Sequence, residues 1–316
     1  MAEVSVSPYV LGAVNLAVIL ALAPLLDGIQ RKVAARLHSR IGPPVTQGYR
    51  DLIKLFRRAF EEIPKGSLGL YSLAPALLLG VSATTAFLTP SLFTEAPPIS
   101  DLILVAYLLA LGEALTVLTS YDTSNPFAVL GCGRKALPTL LAEVSFMAAA
   151  FSIVIKPYVA TTALYGIASR VSSGLQILGS PSYYIAFAAA LMALAAGLEL
   201  SPYDVGVAEQ EILGGVEVEY GGRGLGFVKY AQLVRRLAFM TLFIDVFIPW
   251  GMAGDPTPAS VAVAIASYLL KTLAIFAAAS LLFQSFSRFR VRGATRSLLP
   301  SLTLAFMAVI LSSMGV

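Results

Sequence analysis

The chain has only one cysteine, Cys132, and one histidine, His38, among its 316 residues. Structural zinc sites and iron–sulfur clusters are held by groups of cysteine and histidine ligands, so we expect neither in this chain. A serine or cysteine nucleophile needs a neighbouring base, and the single histidine falls in a predicted loop. The sequence therefore predicts no catalytic residue, no metal and no cofactor of its own.

Charged residues are also scarce, at 13% of the chain, against about 25% in average soluble proteins. Hydrophobic residues make up 57%, and they recur in runs of roughly 18 residues or more, the length at which a helix crosses a bilayer. The short alternating segments of a membrane β-barrel are absent from the sequence. We predict an all-α, polytopic membrane protein. Asparagine occurs only at Asn15 and Asn125, and few thermolabile side chains are typical of a thermophile.

The apolar runs predict eight transmembrane helices within a single membrane domain, residues 1–316. They lie at residues 9–26, 68–89, 102–120, 137–155, 183–200, 233–250, 260–283 and 298–314. The apolar stretch 158–178 is interrupted by Arg170, Ser172, Ser173 and Gly174. We expect this stretch to lie on the outer surface and not to form a ninth span.

Loop charges predict the orientation of these helices. Together with Arg235 and Arg236 at their edge, four loops contain 19 of the 22 lysines and arginines: 27–67, 121–136, 201–232 and 284–297. Cytoplasmic loops of membrane proteins are enriched in basic residues. We therefore predict a multi-pass protein of the cytoplasmic membrane, with these loops inside and both termini outside.

The first loop contains a predicted amphipathic helix. Tyr49, Leu52, Ile53 and Phe56 recur at helical spacing, and basic residues occupy the other side. One interpretation is a helix that only anchors the chain in the plane of the membrane. The other is a platform on which a cytoplasmic partner docks, because nine basic residues in this loop exceed what orientation requires.

Apart from Arg235 and Arg236 at the edge of the sixth span, five charged residues lie within or at the end of predicted spans: Glu113, Glu143, Glu199, Asp245 and Lys271. A charge at mid-bilayer costs about 2.5–3.5 kcal/mol, so such residues usually pair or line an ion path. One interpretation pairs Lys271 with Glu143 or Asp245. Four carboxylates against one lysine would still leave unpaired acid, which favours a proton pathway.

The stretch 199–226, which we call the acidic loop, follows the fifth predicted span. It holds six of the 18 acidic residues: Glu199, Asp204, Glu209, Glu211, Glu217 and Glu219. Carboxylates beside hydrocarbon lose hydration, so such a loop is costly to keep there. We expect it to be functional and the rest of the chain to position it.

Several motifs resemble the membrane subunit shared by respiratory complex I, where it forms much of the quinone site, and energy-converting NiFe hydrogenases. The matching residues are 26–55, 121–127, 131–134, 199–220, 247–251, Lys271 and 288–300. The acidic loop gives the strongest match, with Tyr203 where the family usually has phenylalanine. The segment 44–55 is shorter than in quinone reductases and looks like that of formate hydrogenlyase and related membrane-bound hydrogenases.

The resemblance implies a membrane-anchor and coupling subunit of an ion-translocating oxidoreductase complex, without a redox centre in this chain. It implies large and small NiFe hydrogenase subunits as partners, which would hold the NiFe centre and the 4Fe–4S clusters. Antiporter-like membrane subunits would lie alongside in the lipid bilayer, and nucleic acid is not an expected partner.

The resemblance and the intramembrane charges together assign residues to two roles. The residues assigned to ion coupling are Glu199, Asp204, Glu209, Glu211, Glu143, Glu113, Lys271, Asp245 and Asp122. The residues assigned to partner docking are Arg31, Arg36, Arg40, Gly42, Pro43, Arg50, Asp51, Lys54 and Arg134.

Two other functions remain open from the sequence. One keeps the family but changes the chemistry, to a subunit of a quinone- or polysulfide-reducing complex. The other is a stand-alone secondary ion transporter, a class that often shows inverted repeats and helices broken at the membrane midplane. The two halves of this sequence do not match each other, and the basic first loop has no obvious use in a transporter.

Overall fold

The computed structural model describes residues 7–60, 69–123, 125–254, 257–284 and 286–315. Over these ranges the chain is helical and forms no β-strand, only two isolated bridges. The helices are α1 (Pro8–Leu37), α2 (Gln47–Phe56), α3 (Leu70–Leu88), α4 (Leu102–Asp122), α5 (Pro126–Val154), α6 (Leu164–Ser173), α7 (Leu175–Leu178), α8 (Pro181–Gly197), α9 (Glu209–Ile212), α10 (Gly222–Phe247), α11 (Pro258–Gln284) and α12 (Val291–Ser313). The predicted fold class is confirmed.

Each predicted span coincides with a helix. Within the described ranges, six helices are long and apolar enough to cross a membrane: α1, α3, α4, α5, α11 and α12. The fifth span falls on α8, a shorter apolar helix of 17 residues, and the sixth on α10, which carries charged residues. The start of the second span, Leu68, lies outside the described residues.

The stretch 158–178 does not form a ninth span. It contains α6 and α7, of 10 and 4 residues. A helix of ten residues is about 15 Å long, half the thickness of the hydrocarbon core. Its apolar side chains, among them Leu164, Ile167 and Val171, are buried against the rest of the protein.

Several helices continue past their apolar segments into the predicted loops. α1 runs to Leu37, α5 begins at Pro126 and α10 begins at Gly222, so parts of loops 27–67, 121–136 and 201–232 are helical. Hydropathy reports which residues favour lipid, whereas lysine and arginine remain good helix formers outside it. The start of α5 has a local cause, because the side chain of Asn125 accepts the N–H of Phe127 at 2.8 Å and proline follows at the first helical position.

Contacts join the predicted basic loops at one end of the bundle, which we call the basic end. Arg223 donates to the carbonyl of Phe56 at 3.0 Å, and Arg134 and Arg288 each contact a carboxylate of the acidic loop. The first turns of α1 and the last turn of α12 lie at the opposite, distal end. There Ser312 donates to the carbonyl of Ser152 near the end of α5.

The predicted amphipathic helix is α2, and it is held tightly on α1. Pro24 inside α1 has no N–H, so the carbonyl of Leu20 loses its helical partner and instead accepts the hydroxyl of Tyr230 at 3.0 Å. The hydroxyl of Tyr49 donates to the neighbouring carbonyl of Ala21. Gly48 lets the backbone of α2 approach Pro24 directly. Pro24 and the carbonyl of Ala21 therefore form the part of α1 on which α2 packs.

The distal half of the bundle has an aromatic core. Phe239, Phe243 and Phe247 recur every four residues on one face of α10 and pack on Phe146 of α5 and Phe187 of α8. Spacing of four residues places them on one side of the helix. Aromatic side chains therefore exclude water from this side of α10.

Replacing Gly48 by alanine should loosen α2. The added Cβ would lie 2.4 Å from the carbonyl oxygen of Pro24, and overpacking of this kind typically costs about 1–3 kcal/mol. We expect a lower midpoint of thermal unfolding for the purified protein in detergent. Gly80→Ala is the matched control, because its Cβ would meet no atom within 4 Å. Equal midpoints for the two variants would contradict the packing described.

Candidate functional site

Arg235 of α10 is the centre of a buried group of charges towards the basic end. Its Nη1 lies 2.5 Å from Oε1 of Glu113 and 2.9 Å from Oε1 of Glu199, and its Nη2 lies 2.6 Å from Oε1 of Glu143. All four side chains are 15% exposed or less. One guanidinium therefore joins carboxylates from α4, from α5 and from the end of α8.

Two further cations complete this group. Nζ of Lys135 lies 2.8 Å from Glu199 and 3.3 Å from Glu113, and Arg236 approaches the other oxygen of Glu199 at 3.6 Å. The charge hub consists of Glu113, Lys135, Glu143, Glu199, Arg235 and Arg236. Three carboxylates thus face three cations, and this pairing offsets the desolvation that buried charges suffer.

The backbone at Glu199 directs its carboxylate into the hub. Its φ of +52° is in the left-handed region, which residues with a side chain rarely adopt. The N–H of Glu199 donates to the carbonyl of Ala196 at 3.0 Å and so ends α8. Glycine usually occupies such a position. A glutamate there indicates that its ion pairs outweigh a backbone cost of about 1–3 kcal/mol.

The expectation of unpaired acid is wrong for Glu113, Glu143 and Glu199. The sequence comparison of four carboxylates with one lysine takes Lys271 as the only cation inside the membrane. It places Lys135 in a loop and Arg235 at the edge of one. α5 begins at Pro126 and therefore carries Lys135, which precedes the fourth predicted span, whereas Arg235 lies in the first turn of the sixth; both cations point into the bundle interior. Sequence reasoning missed Lys135, Arg235 and Arg236 as site residues. Extending the helical pattern of α5 back from Glu143 would have placed Lys135 two turns away.

Lys271 pairs with neither Glu143 nor Asp245 by a direct ion pair. Its Nζ donates to the carbonyl of Ile248 at 2.8 Å and to that of Trp250, just beyond α10. Asp245 is fully buried, and neither carboxylate oxygen has a hydrogen-bond partner among the described residues. Ten residues of helix separate Asp245 from Arg235, about 15 Å, so the structure places Asp245 and Lys271 away from the hub.

A polar cavity of about 690 Å³ opens beside the hub at the basic end. Its walls come from α1, α2, the acidic loop and the first turns of α10, and they include seven carboxylates and four cations. Glu199 and Arg236 belong both to the cavity lining and to the hub, so solvent in the cavity reaches the buried charges. Across the described ranges, His, Cys, Asp and Glu side chains form no group of three placed to hold a metal ion.

Two other carboxylates of the acidic loop, Asp204 and Glu211, hold the loop in place. Asp204 makes two hydrogen bonds with Arg288, at 2.9 and 2.6 Å, which raise the pKa of that guanidinium. Glu211 contacts Arg134 at 2.6 Å. Glu209 is exposed and lines the cavity. The four predicted coupling residues of this loop are therefore divided, with only Glu199 in the hub.

Asp122 has a local structural contact. Its carboxylate accepts the N–H of Tyr71 at 2.8 Å, one of the unpaired donors in the first turn of α3. The hydroxyl of Tyr71 in turn donates to the carbonyl of Glu219 at 2.6 Å. Asp122 thus ties the end of α4 to the start of α3, beside the acidic loop.

The residues assigned to docking separate into two groups. Arg31 pairs with Asp27 at 2.8 Å and with Asp51 at 3.0 Å, and Arg134 is engaged with Glu211. The exposed members are Arg36, Arg40, Gly42, Arg50 and Lys54, while Pro43 is half-buried. The exposed cations lie on the last turn of α1, on the turn that follows it and on the outer side of α2.

These features define a polytopic helical membrane protein with a buried charge network that meets a polar cavity at one end. The profile of the NADH dehydrogenase family matches residues 10–313, and the chain belongs to that family. The predicted resemblance is confirmed.

The chain is similar to proteins of two related kinds of complex. It is 31% identical to formate hydrogenlyase subunit 4 of Escherichia coli over 93% of this chain and 95% of the relative. It is 33% identical to hydrogenase-4 component C of the same organism over 86% of each. It is 29% identical to a subunit of the NADH-quinone oxidoreductase of Geobacillus kaustophilus over 75% of this chain and 73% of the relative.

A solved structure has the same fold. A chain of the membrane-bound sulfane sulfur reductase, described as an archaeal respiratory membrane complex, superposes with a TM-score of 0.79. The sequence identity is 25%, over 98% of this chain and all of that chain. The relatives are thus subunits of oxidoreductase complexes, and this chain is a multi-pass membrane protein of their family.

Removing the guanidinium of Arg235 should destabilise the protein strongly. Arg235→Met leaves Glu143 without its ion partner, and breaking one side of a buried pair typically costs about 3–5 kcal/mol. Arg236→Met is the matched control, because that side chain is more exposed and contacts the hub at 3.6 Å. Thermal unfolding of both variants in detergent should show the larger loss for Arg235→Met, and the reverse order would contradict the arrangement.

Proposed function

We propose that this chain is the membrane-anchor and coupling subunit of a complex I-related, energy-converting NiFe hydrogenase. It docks a peripheral module that holds the 4Fe–4S clusters and the NiFe centre. It links electron transfer and proton reduction in that module to translocation of H⁺ or Na⁺. The observation that carries this proposal is the charge hub, buried beside a polar cavity at the basic end.

Two observations support a hydrogenase over a quinone reductase. The two hydrogenase-type relatives align over 93% and 86% of the chain, against 75% for the quinone oxidoreductase subunit. The cavity also suits water and protons better than a quinone, because an apolar ring and tail would desolvate its eleven charged lining residues.

Coupling follows from the way the hub shares its cations. Glu199 and Glu113 both contact Nη1 of Arg235 and Nζ of Lys135. When the charge on Glu199 changes, the field of both cations is redistributed over Glu113 and Glu143. A redox event at the basic end acts on the acidic loop, whose position is held by Asp204 and Glu211. The loop passes the change to Glu199, where cavity and hub meet.

The charge then moves sideways within the membrane. On the α5 and α8 side of α10, the aromatic core blocks the distal half. Glu113 lies on α4 and is the most exposed of the three hub carboxylates, at 15%. We assign to it the transfer to a neighbouring, antiporter-like membrane subunit.

Docking uses the basic end. Arg36, Arg40, Arg50 and Lys54 are exposed there, and they suit an acidic surface on the small hydrogenase subunit. In this arrangement the basic end faces the cytoplasm and both termini lie outside, in agreement with the enrichment of basic residues in cytoplasmic loops.

A second candidate keeps the coupling role but changes the peripheral chemistry to reduction of polysulfide. The similarity to a chain of the sulfane sulfur reductase complex favours it. The hub would work identically in both complexes. Nickel content and hydrogen evolution of the purified complex distinguish them, because only the hydrogenase requires both.

Neutralising the hub carboxylates should uncouple the complex. In proteoliposomes containing the intact complex, Glu199→Gln and Glu143→Gln should lower the ions translocated per hydrogen by about tenfold or more, since positioned proton-transfer groups contribute at least that much. Hydrogen oxidation with an artificial dye, which takes place in the peripheral subunits, should persist.

Glu95→Gln provides the control for this experiment. It is the same substitution on an exposed residue near the distal end, and it should leave translocation unchanged. Normal translocation in both hub variants would exclude the relay. Ion transport by this chain alone in liposomes, without iron-bearing partners, would exclude the coupling role altogether.

A further inference from the structure

The two long faces of α10 differ in character. The face with Phe239, Phe243 and Phe247 packs on other aromatic rings. The opposite face has Leu237, Thr241 and Asp245 at the same spacing, beside α11. A polar side therefore runs along α10 through the half of the bundle that the aromatic core otherwise seals.

Hydroxyl groups of α10 and α11 meet on this polar side. The hydroxyl of Thr241 donates to the carbonyl of Leu237 at 2.8 Å. It also lies 2.7 Å from the hydroxyl of Tyr268 on α11, and either hydroxyl can be the donor in that second contact. A hydroxyl oxygen has two lone pairs, so both oxygens can also accept from a donor or bind a cation.

Asp245 lies one turn further along, towards the distal end. Spacing of four residues places it on the same side of α10 as Thr241, whose hydroxyl contacts Tyr268. Tyr268 and Lys271 are three residues apart on the facing side of α11. Asp245 is fully buried, and both its oxygens are without a hydrogen-bond partner among the described residues. A buried carboxylate without a hydrogen-bond partner is a candidate for binding an ion or a water molecule.

The basic-end cavity continues towards this group. A narrow crevice, with room of about 10 Å³, shares Asp27 and Arg236 with the cavity and extends to Leu237, Met240 and Phe276. Phe276 lies eight residues after Tyr268 on α11, and the buried Thr272 lies between them. The crevice lining ends at Met240 and Phe276, and the polar side chains of Thr241 and Asp245 follow along α10.

We propose that Asp245, with the hydroxyls of Tyr268 and Thr241, is a second cation-binding site on a path between α10 and α11. The ligand is a monovalent cation, either Na⁺ held by these oxygens or a proton carried with water. No covalent step is involved, since the cation enters and leaves unchanged. Lys271, held by the carbonyls of Ile248 and Trp250, is the fixed positive charge at the distal side of the site.

This inference rests on the proposed ion-translocating function, but it concerns residues outside the charge hub. The test uses the intact complex in proteoliposomes. Asp245→Asn keeps the size of the side chain and removes its charge, and it should lower the ions translocated per hydrogen by about tenfold or more, while dye-linked hydrogen oxidation persists. Tyr268→Phe keeps the ring, removes the hydroxyl and should also lower translocation.

Tyr183→Phe is the matched control. Tyr183 is also buried, and its hydroxyl donates to the carbonyl of Phe247 on the aromatic side of α10. Its loss should leave translocation unchanged. Asp245→Leu separates a structural role from an ionic one, because it fits an apolar site but cannot bind a cation. An assembled Asp245→Leu complex should therefore be as uncoupled as Asp245→Asn.

Labelling with dicyclohexylcarbodiimide, an apolar reagent for buried carboxyl groups, identifies the cation. Mass spectrometry of the intact complex should find Asp245 modified in Na⁺-free buffer. Protection by NaCl but not by choline chloride assigns Na⁺, and equal labelling in both assigns the proton.

The outcomes separate this inference from the proposed function. Normal translocation in Asp245→Asn and Asp245→Leu overturns the second site. If Glu199→Gln is uncoupled in the same assay, the proposed function stands without the site. If all three variants translocate normally, both proposals fail.

Discussion

A buried charge must be compensated, and that constraint organises this membrane protein. Glu113, Glu143 and Glu199 come from three different elements and meet on the guanidinium of Arg235. Each ion pair fixes the distance between α10 and one neighbour. The removal of these charges from water is favourable only while all of them stay together. The hub therefore links these helices to one another. A change of charge on any of its members would alter the electrostatic energy of several helices at once.

The acidic loop lies between the polar cavity and the charge hub. Gly206 lies against Lys135, where an added Cβ would be 2.6 Å from the lysine Cβ, so the loop rests directly on α5. Asp204 and Glu211 tie it to Arg288 and Arg134. The loop thus has anchors on two sides, and Glu199, its carboxylate in the hub, lies at one end. If Asp204 or Glu211 moved, Glu199 in the hub would move with it, because only a short stretch of backbone separates them.

The bundle separates its polar and apolar parts within a single helix. α10 begins beside the polar cavity, supplies Arg235 and Arg236 to the hub, and then presents phenylalanines on one face and Thr241 and Asp245 on the other. Taken as a whole, α10 is not among the helices that are apolar enough to span a membrane, because it carries several charged residues. The ion pairs of the hub compensate the charges of Arg235 and Arg236 within the protein.

The sequence by itself determined the class of protein, the positions of the helices on which the predicted spans fall, the amphipathic α2 and the family, because hydropathy, helical spacing and local motifs are carried by neighbouring residues. It also pointed to Glu113, Glu143 and Glu199. Only the tertiary structure decided that Lys135 and Arg235 neutralise them, that Asp204 and Glu211 anchor the acidic loop, and that Asp245 has no partner among the described residues. These facts depend on how far each helix extends and which face it turns inward, and contacts between distant parts of the chain settle both.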